Sequence, residues 1–127
     1  TVIFQLLGFY LKSERSNAKR YPDWIENFFE KLKSEEFLRK DIQDIIKEYN
    51  YSHGHICREF KKYVNKTMVQ ALNESRIIYS SILLADKSLS ILEIAMRLNF
   101  SSQSAYINAF KSIYEVSPNK WRKQTFN

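Results

Sequence analysis

An internal repeat is the feature that most constrains the fold of this chain. Residues 50–61 recur as residues 99–111, and the one-residue misfit falls in a predicted turn, where an insertion costs least. Aligning Phe60 with Phe110 brings together further pairs: Ser52 with Ser102, Arg58 with Asn108, Lys61 with Lys111, and Thr67 with Ser117. Each copy has the pattern of a short helix, a polar turn and a longer amphipathic helix. The repeat therefore predicts two helix-turn-helix units.

The composition indicates the fold class. Hydrophobic residues make up 44% of the 127 residues, which is enough for a packed core. With only two Gly and two Pro, helices joined by short connections are favoured over a sheet. We expect an all-α fold, with two helix-turn-helix subdomains joined by a central helix and preceded by a helical linker. The net charge of +6 suits a polyanionic partner, although many cytosolic proteins reach this charge without binding nucleic acid.

The sequence also argues against several classes of protein. Cys57 is the only cysteine, which excludes an internal disulfide and a multi-Cys zinc site. The chain lacks an apolar run of about 20 residues and a signal-peptide pattern, so we expect a cytoplasmic location without a membrane span. It starts without Met in the middle of a predicted helix, as expected of a fragment. Without a Gly-rich phosphate loop or a catalytic cluster, we predict no enzyme activity, no cofactor and no metal site.

Apolar periodicity places the helices along the chain. A helix at residues 2–12 and an exposed loop at residues 13–20 are predicted to precede a helix at residues 23–33, and Phe37 and Leu38 are predicted to lie in a connector. The remaining segments are the first unit at about residues 41–63, the connecting helix at about 67–85, the second unit at about 90–114 and a final helix at about 117–124.

Polar residues predict where the helices begin. Asp41, Ser52 and Thr67 each stand where a side chain can cap a following helix. Ser90 with Glu93 three residues later has the pattern of a capping box. The connecting helix, of roughly 18 residues, would span about 27 Å at 1.5 Å per residue. Since one turn of B-DNA is about 34 Å, the two units could contact two successive major grooves.

A dense series of motifs follows the connecting helix in a fixed order. They are Arg76-Ile77-Ile78, Leu83-Leu84, Ser90-Ile91-Leu92-Glu93-Ile94-Ala95, Asn99-Phe100-Ser101-Ser102-Gln103-Ser104, Phe110-Lys111 and Ser117-Pro118-Asn119-Lys120-Trp121-Arg122. With these motifs, residues 41–123 resemble the DNA-binding domain of AraC/XylS-type bacterial transcription regulators. The resemblance implies binding to double-stranded DNA and control of transcription, often through contact with RNA polymerase. It also implies a small-molecule effector bound outside this chain.

Upstream segments are similar to one subgroup of that family. Residues 22–25, 37–39 and 52–58 resemble regulators of chitobiose and related sugar operons, in which a sugar-sensing cupin-like barrel precedes a helical linker. The resemblance implies that residues 1–40 are this linker or a remnant of an effector or dimerisation domain, and that residues 41–127 are the DNA-binding domain. It further implies a carbohydrate effector and a homodimer of the full-length protein.

The chain departs from the family pattern at five positions, of which Ser80, in place of a usual Ala, should matter little. Asn50 and Asn99 stand at the turns where the family usually has Gly; Asn tolerates the left-handed conformation, so we expect both to bend the chain there. Asn108 replaces a common Arg or Lys. Gly54 stands where the family often places a side chain on DNA, which weakens the expectation that the first unit reads bases.

Polar residues near the start of each longer helix are the candidates for base contacts. In the second unit these are Gln103, Ser104 and Asn108, because Gln and Asn can bind adenine through two hydrogen bonds. In the first unit they are His53, Cys57 and Arg58. Arg58 could bind guanine or form an ion pair within the protein. The His53–Cys57 spacing could hold a metal ion, but two ligands are too few for a structural zinc site.

Cations and hydroxyls around these helices are the candidates for phosphate contacts: Ser52, Lys61, Lys62, Lys66, Ser102, Lys111, Lys120 and Arg122, with Lys123 nearby. The alternative is a solvated cationic surface. The recurring aromatics are predicted to form the core rather than to stack on bases: Phe60, Tyr63, Phe110, Tyr114 and Trp121. The rival interpretation of the whole chain is a helical protein-protein interaction module without specific DNA binding.

Overall fold

A computed structural model describes residues 20–126, and all of their regular secondary structure is helical. The described helices are α1 (Asp23–Lys31), α2 (Glu35–Leu38), α3 (Ile42–Lys47), α4 (His53–Val64), α5 (Met68–Leu83), α6 (Ile91–Arg97), α7 (Gln103–Tyr114) and α8 (Pro118–Phe126). The all-α fold is therefore confirmed. The helix predicted at residues 2–12 and most of the loop after it lie outside the described residues.

The helices from α4 onward begin where polar side chains accept hydrogen bonds from the first turn. Ser52 caps α4, and Thr67 with Gln70 forms a capping box on α5. The capping box predicted for Ser90 and Glu93 is present at the start of α6. Each of these caps partners backbone N–H groups that have no acceptor within the helix.

The segment before the first unit shares its hydrophobic core. Phe28 is fully buried, and its ring lies 5.3 Å from that of Phe60 on α4 and 5.9 Å from that of Phe37. Trp24 contacts the aromatic ring of Tyr49 at 5.5 Å, next to the turn between α3 and α4. Phe37 and Leu38 lie in the four-residue helix α2 rather than in a connector, because both side chains are buried in this core. The described part of the predicted linker therefore braces the first unit directly.

The central helix α5 is buried along much of its 16 residues, which correspond to about 24 Å. Ala71, Leu72 and Ile77 are almost completely buried and join the cores of the two units. The predicted core role of the recurring aromatics is confirmed, since Phe60 and Phe110 are fully buried. The central helix can therefore act as a rigid connection between the units.

The two helix-turn-helix units are offset copies. The shorter helices α3 and α6 start 49 residues apart, at Ile42 and Ile91, whereas the longer helices α4 and α7 start 50 apart, at His53 and Gln103. The connections at residues 48–52 and 98–102 have the same length of five residues. The extra residue of the second unit therefore lies in α6, which has seven residues where α3 has six, and not in the turn where the repeat placed it.

The two turn asparagines differ in conformation. Asn99 has a left-handed backbone with φ 62°, as predicted, but Asn50 does not have a positive φ, so that expectation was wrong. The first connection, at residues 48–52, is as long as the second but reaches α4 without a left-handed residue. The prediction for Asp41 also needs correction. Asp41 precedes α3, but its side chain makes no capping hydrogen bond; it accepts one from Asn99 Nδ2 at 2.7 Å instead.

Candidate nucleic-acid interface

The longer helices α4 and α7 present matching surfaces. Both have 12 residues, begin after a capping serine and end before a residue in the left-handed conformation. Ser52 Oγ accepts from the His55 N–H at 3.2 Å, and Ser102 Oγ accepts from the Ala105 N–H at 3.0 Å. Each hydroxyl hydrogen remains available to donate to a phosphate oxygen, as the sequence predicted for both serines.

The start of α7 exposes all three predicted base-contact residues. Gln103, Ser104 and Asn108 are exposed, while Tyr106 and Phe110 on the same helix are fully buried in the core. Residues one, four and five positions apart lie on one face of a helix, so the three polar side chains form a single surface. Gln and Asn side chains offer the paired donor and acceptor that an adenine edge needs.

The start of α4 exposes a different set of groups. His53, Cys57 and Arg58 are exposed, and His53 Nδ1 lies 3.8 Å from Cys57 Sγ. In residues 20–126 no third His, Cys, Asp or Glu completes a metal cluster with this pair. Arg58 forms no ion pair within the described residues; its guanidinium lies against Gly54, one helical turn earlier. The predicted base-contact residues of the first unit therefore share one solvent-facing surface.

Some of the lysines predicted to contact phosphates are exposed, whereas another already binds a carboxylate of the protein. Lys61 and Lys62 are exposed near the end of α4, and Lys111 is exposed near the end of α7. Lys120 is exposed in the first turn of α8, where a positive helix end already favours anions. Lys66 is half-buried and its Nζ pairs with Glu74 at 2.9 Å, so a phosphate would have to compete with this carboxylate.

Arg122 faces the protein rather than the solvent. Its Nε donates to Leu84 O at 3.0 Å, and its Nη2 donates to Leu89 O at 2.7 Å and to Asp86 O at 3.3 Å. The expected phosphate contact by Arg122 therefore needs correction. Most of its donors are already committed to the loop before α6, because the carbonyls of that loop have no helical partners.

The sequence reasoning missed that Arg76 makes the same contact in the first unit. Arg76 Nε donates to Leu38 O at 2.7 Å, and its Nη2 donates to Lys40 O at 2.6 Å. Arg76 lies 38 and 36 residues after its acceptors Leu38 and Lys40. Arg122 lies the same 38 and 36 residues after Leu84 and Asp86. Both arginines belong to the family motifs in the sequence, but a positively charged residue type does not indicate whether its side chain points inward.

The two units are joined by polar contacts as well as by α5. Arg97 on α6 donates to both carboxylate oxygens of Glu35, at 2.6 Å and 3.0 Å. The Tyr79 hydroxyl on α5 donates to the same carboxylate at 3.0 Å. The hydrogen bonds from Arg97 hold the pKa of Glu35 below its usual value, with a further contribution from Tyr79, although burial acts in the opposite direction. These contacts fix the second unit against α2.

Tyr51 is a second residue that the sequence did not identify. It directly precedes Ser52, its side chain is 51% exposed, and its ring lies 4.9 Å from that of His55. An exposed aromatic ring beside the start of α4 could contact the sugar-phosphate backbone.

Within residues 20–126 no helix is long and apolar enough to cross a membrane.

Comparisons with known proteins agree with this geometry. The family profile described as "Helix-turn-helix domain" matches residues 45–124. The Msm operon regulatory protein of Streptococcus mutans is 29% identical over 118 residues, covering 93% of this chain and 41% of that protein. "Probable transcription factor PqrA" of Proteus vulgaris is 30% identical over 100 residues, covering 79% of this chain and 78% of that protein.

A solved structure has the same fold. It is the crystal structure of the C-terminal domain of the two-component response regulator yesN from Fusobacterium nucleatum. The TM-score is 0.66 at 22% sequence identity, and the match covers 80% of this chain and 99% of that domain. The present chain spans about two fifths of the length of the Msm operon regulatory protein, at 41%.

Proposed function

Because this chain belongs to the AraC-type helix-turn-helix family, we propose that it regulates transcription by binding a specific duplex DNA sequence, with α4 and α7 in two successive major grooves. The observation that carries this proposal is the equivalence of these helices. Both are capped by serine, both have 12 residues, and both expose polar residues at the same positions of their first two turns. A surface of this kind on both copies of a repeat is what two DNA-reading helices require.

In this proposal the two helices divide the recognition of bases. Gln103 and Asn108 on α7 bind adenine edges, and Ser104 contacts a base or a phosphate. On α4, Arg58 binds the O6 and N7 atoms of guanine, while His53 and Cys57 lie against neighbouring bases. The different donors and acceptors on α4 and α7 lead us to expect two DNA boxes of unlike sequence.

Phosphate contacts position the two helices on the duplex. We assign this role to the capping serines and the accessible lysines: Ser52, Lys61, Lys62, Ser102, Lys111 and Lys120. If the four lysines contact phosphates, affinity should fall roughly 150-fold as salt rises from about 50 mM to about 200 mM. Lys66 contributes only if its pair with Glu74 opens, and Arg122 holds its loop instead.

The spacing of the boxes should follow from the rigid connection. The 16 residues of α5 span about 24 Å, to which the widths of the flanking units add. The contacts of Glu35 with Arg97 and of Asp41 with Asn99 restrain the units relative to each other. We therefore expect the boxes to lie about one helical turn, or roughly 10 base pairs, apart.

Regulation would come from protein regions outside this chain. Longer relatives such as the Msm operon regulatory protein leave room for an effector domain. We propose a bacterial cytoplasmic regulator whose missing part binds a small molecule, of which a sugar is one candidate, and mediates dimerisation. We also include contact with RNA polymerase in the proposal. Leu92 and Met96, which are 50% and 48% exposed and lie one turn apart on α6, offer an apolar surface for a protein partner.

The same surface supports the second candidate function, a protein-protein interaction module. Selection of binders from a random duplex library at two salt concentrations distinguishes the two functions. Two enriched boxes about one turn apart, with steep loss of binding at high salt, support DNA recognition. One box indicates a single reading unit. No enrichment at either salt concentration would contradict sequence-specific binding by this chain and favour the interaction module.

A further inference from the structure

Gly54 is an unusual residue for its position in α4. It is the second residue of the helix, and Ser104 is its equivalent in α7. Glycine lowers helix stability relative to alanine, so it is normally kept where the backbone needs a positive φ. Gly54 does not have one. The reason for glycine here must therefore lie in the space that its missing side chain leaves.

The Arg58 guanidinium uses that space. A Cβ atom added to Gly54 would lie 3.1 Å from Arg58 Nη1 and 3.9 Å from Arg58 Cζ. Side chains on a helix point towards its N-terminus, so a residue four positions later covers the preceding turn. Arg58 therefore extends back along α4 and places its donors over the first turn. That end of the helix is the one that enters the groove in a helix-turn-helix.

The second unit cannot make the same arrangement. The equivalent of Arg58 is Asn108, whose short side chain cannot extend back over a helical turn. The equivalent of Gly54 is Ser104, which already has a side chain at the surface. On α7, two residues a turn apart each present their own polar group, whereas on α4 one long side chain covers both positions.

We infer that Gly54 is a positioning residue for base recognition: by lacking a Cβ, it lets the Arg58 guanidinium lie over the first turn of α4 and bind guanine there. This inference rests on the proposed DNA-binding function. It reverses the expectation from sequence, in which Gly54 weakened the case for base reading by the first unit. Glycine here makes room for the reading side chain instead of removing one.

A double-mutant cycle in the 127-residue chain tests the inference. The variants are Gly54→Ala, Arg58→Ala and the double variant, with Ser112→Ala, an exposed residue near the end of α7, as the control. Each is measured against the best selected duplex and against duplexes changed at one base pair. We expect Arg58→Ala to lose at least about 10-fold in preference for one G·C pair. Gly54→Ala should lose about 3- to 10-fold at the same pair and add no loss when Arg58 is already alanine.

A control variant and measurements on the DNA-free protein distinguish a specific loss of base preference from a general loss of folding. Ser112→Ala should leave the preference at that G·C pair unchanged. Gly54→Ala should melt at an equal or higher temperature than the original chain, because Arg58 Nη1 is the end of a flexible side chain that can move. In DNA-free protein, NMR of the arginine Nε–H groups should show the Arg58 signal shifted by Gly54→Ala and not by Ser112→Ala.

Three results would overturn the inference. An unchanged base preference in Gly54→Ala would show that Arg58 does not need the space. An equal loss from Gly54→Ala with and without Arg58 would show that glycine acts through close backbone approach to DNA. A uniform loss across all duplexes in Arg58→Ala would make Arg58 a phosphate contact. If the original chain selects no sequence, the proposed function fails with the inference, even where the NMR shift confirms the contact.

Discussion

The two helix-turn-helix units share the length and capping of the helix that would contact DNA, but they differ in the elements that support this helix. Their longer helices have equal length and the same serine caps. Their shorter helices differ by one residue, since α3 has six residues and α6 has seven. Both units pack on α5, but the first also packs on the aromatic side chains of α1 and the second on α8. The helices α4 and α7 therefore have the same length and caps although different neighbouring helices hold them in place.

Each unit nevertheless uses one arginine to hold the loop that leads into it. Arg76 is 7% exposed and binds the carbonyls of Leu38 and Lys40. Arg122 is partly exposed and binds the carbonyls of the loop before α6. Loop carbonyls that are buried need a donor, and an arginine can serve several of them at once. The repeat therefore includes these supporting arginines, although they do not have the 50-residue spacing of the longer helices.

The largest expected effect is from Arg76→Ala, which leaves buried carbonyls without donors. We expect a loss of about 3 kcal/mol in the free energy of unfolding, against about 2 kcal/mol for the more exposed Arg122→Ala. Urea denaturation followed by circular dichroism measures both. Arg39→Ala is the control, because Arg39 is exposed, and it should change stability by less than about 0.5 kcal/mol. An equal loss of unfolding free energy in Arg76→Ala and Arg39→Ala would contradict the structural role of Arg76.

Gln103→Ala should have the next largest effect, on base preference. Gln103 and His53 hold equivalent first positions of α7 and α4, but only the Gln amide presents a donor and an acceptor side by side, as two hydrogen bonds to one adenine edge require. We expect Gln103→Ala to cost about 2 kcal/mol of discrimination at one base pair, and His53→Ala less. Competition binding against single-base-pair variants of the selected duplex gives both values. Lys111→Ala should instead weaken all duplexes similarly and lower the salt slope by about 1. A uniform loss from Gln103→Ala would make it a phosphate contact.

Glu35→Gln should have a smaller effect, and one that depends on pH. Arg97 holds the folded-state pKa of Glu35 below its usual value, so folding favours the ionised carboxylate. Its contribution is therefore fully present above the unfolded-state pKa and is lost as pH falls through the lower folded-state pKa. We expect the original chain to be about 1 kcal/mol more stable than Glu35→Gln at pH 7, after allowing for the exposed Arg97 side chain.

Urea denaturation of both proteins across the acidic range checks the sign. The stability difference should shrink towards zero well below about pH 4, where the carboxyl is protonated in both states. A difference that stays constant with pH would show that the carboxylate charge is not what binds α6 to α2. The pH dependence of this stability difference therefore shows whether the relative position of the two units depends on the ion pair or on packing alone.

Much of this fold was accessible from sequence because local signals agreed with one another. The capping residues Ser52, Thr67 and Ser90 and the periodic apolar residues located the helices to within a few residues. The mistakes came where distant contacts decide the outcome. Asp41 looks like a helix cap but is bound by Asn99, 58 residues away. Phe37 and Leu38 become helical because they are buried, which local propensity does not register.

The candidate site was accessible to a lesser degree. The repeat alone identified the surfaces of α4 and α7, since equivalent positions follow from the alignment. The direction of an arginine side chain did not follow, because Arg58, Arg76 and Arg122 have the same chemistry in the sequence. One lies over a glycine at the surface, and two point inward onto backbone carbonyls. Only the surrounding structure distinguishes a reading arginine from a supporting one.

The smallest expected effect concerns the ends of α4 and α7, where the units differ by one residue type. Asn65 and Glu115 are equivalent and both left-handed, with φ 65° and 67°, and each donates its N–H to a lysine carbonyl at 2.9 Å. Asn tolerates this conformation, whereas Glu does so at a cost, and its negative charge also lies at the negative end of the helix. We expect Glu115→Gly to stabilise the fold by about 0.5–1 kcal/mol, and Asn65→Gly by less. Urea denaturation of the two variants measures the difference, and a larger gain at Asn65 would show that backbone strain does not distinguish the two helix ends.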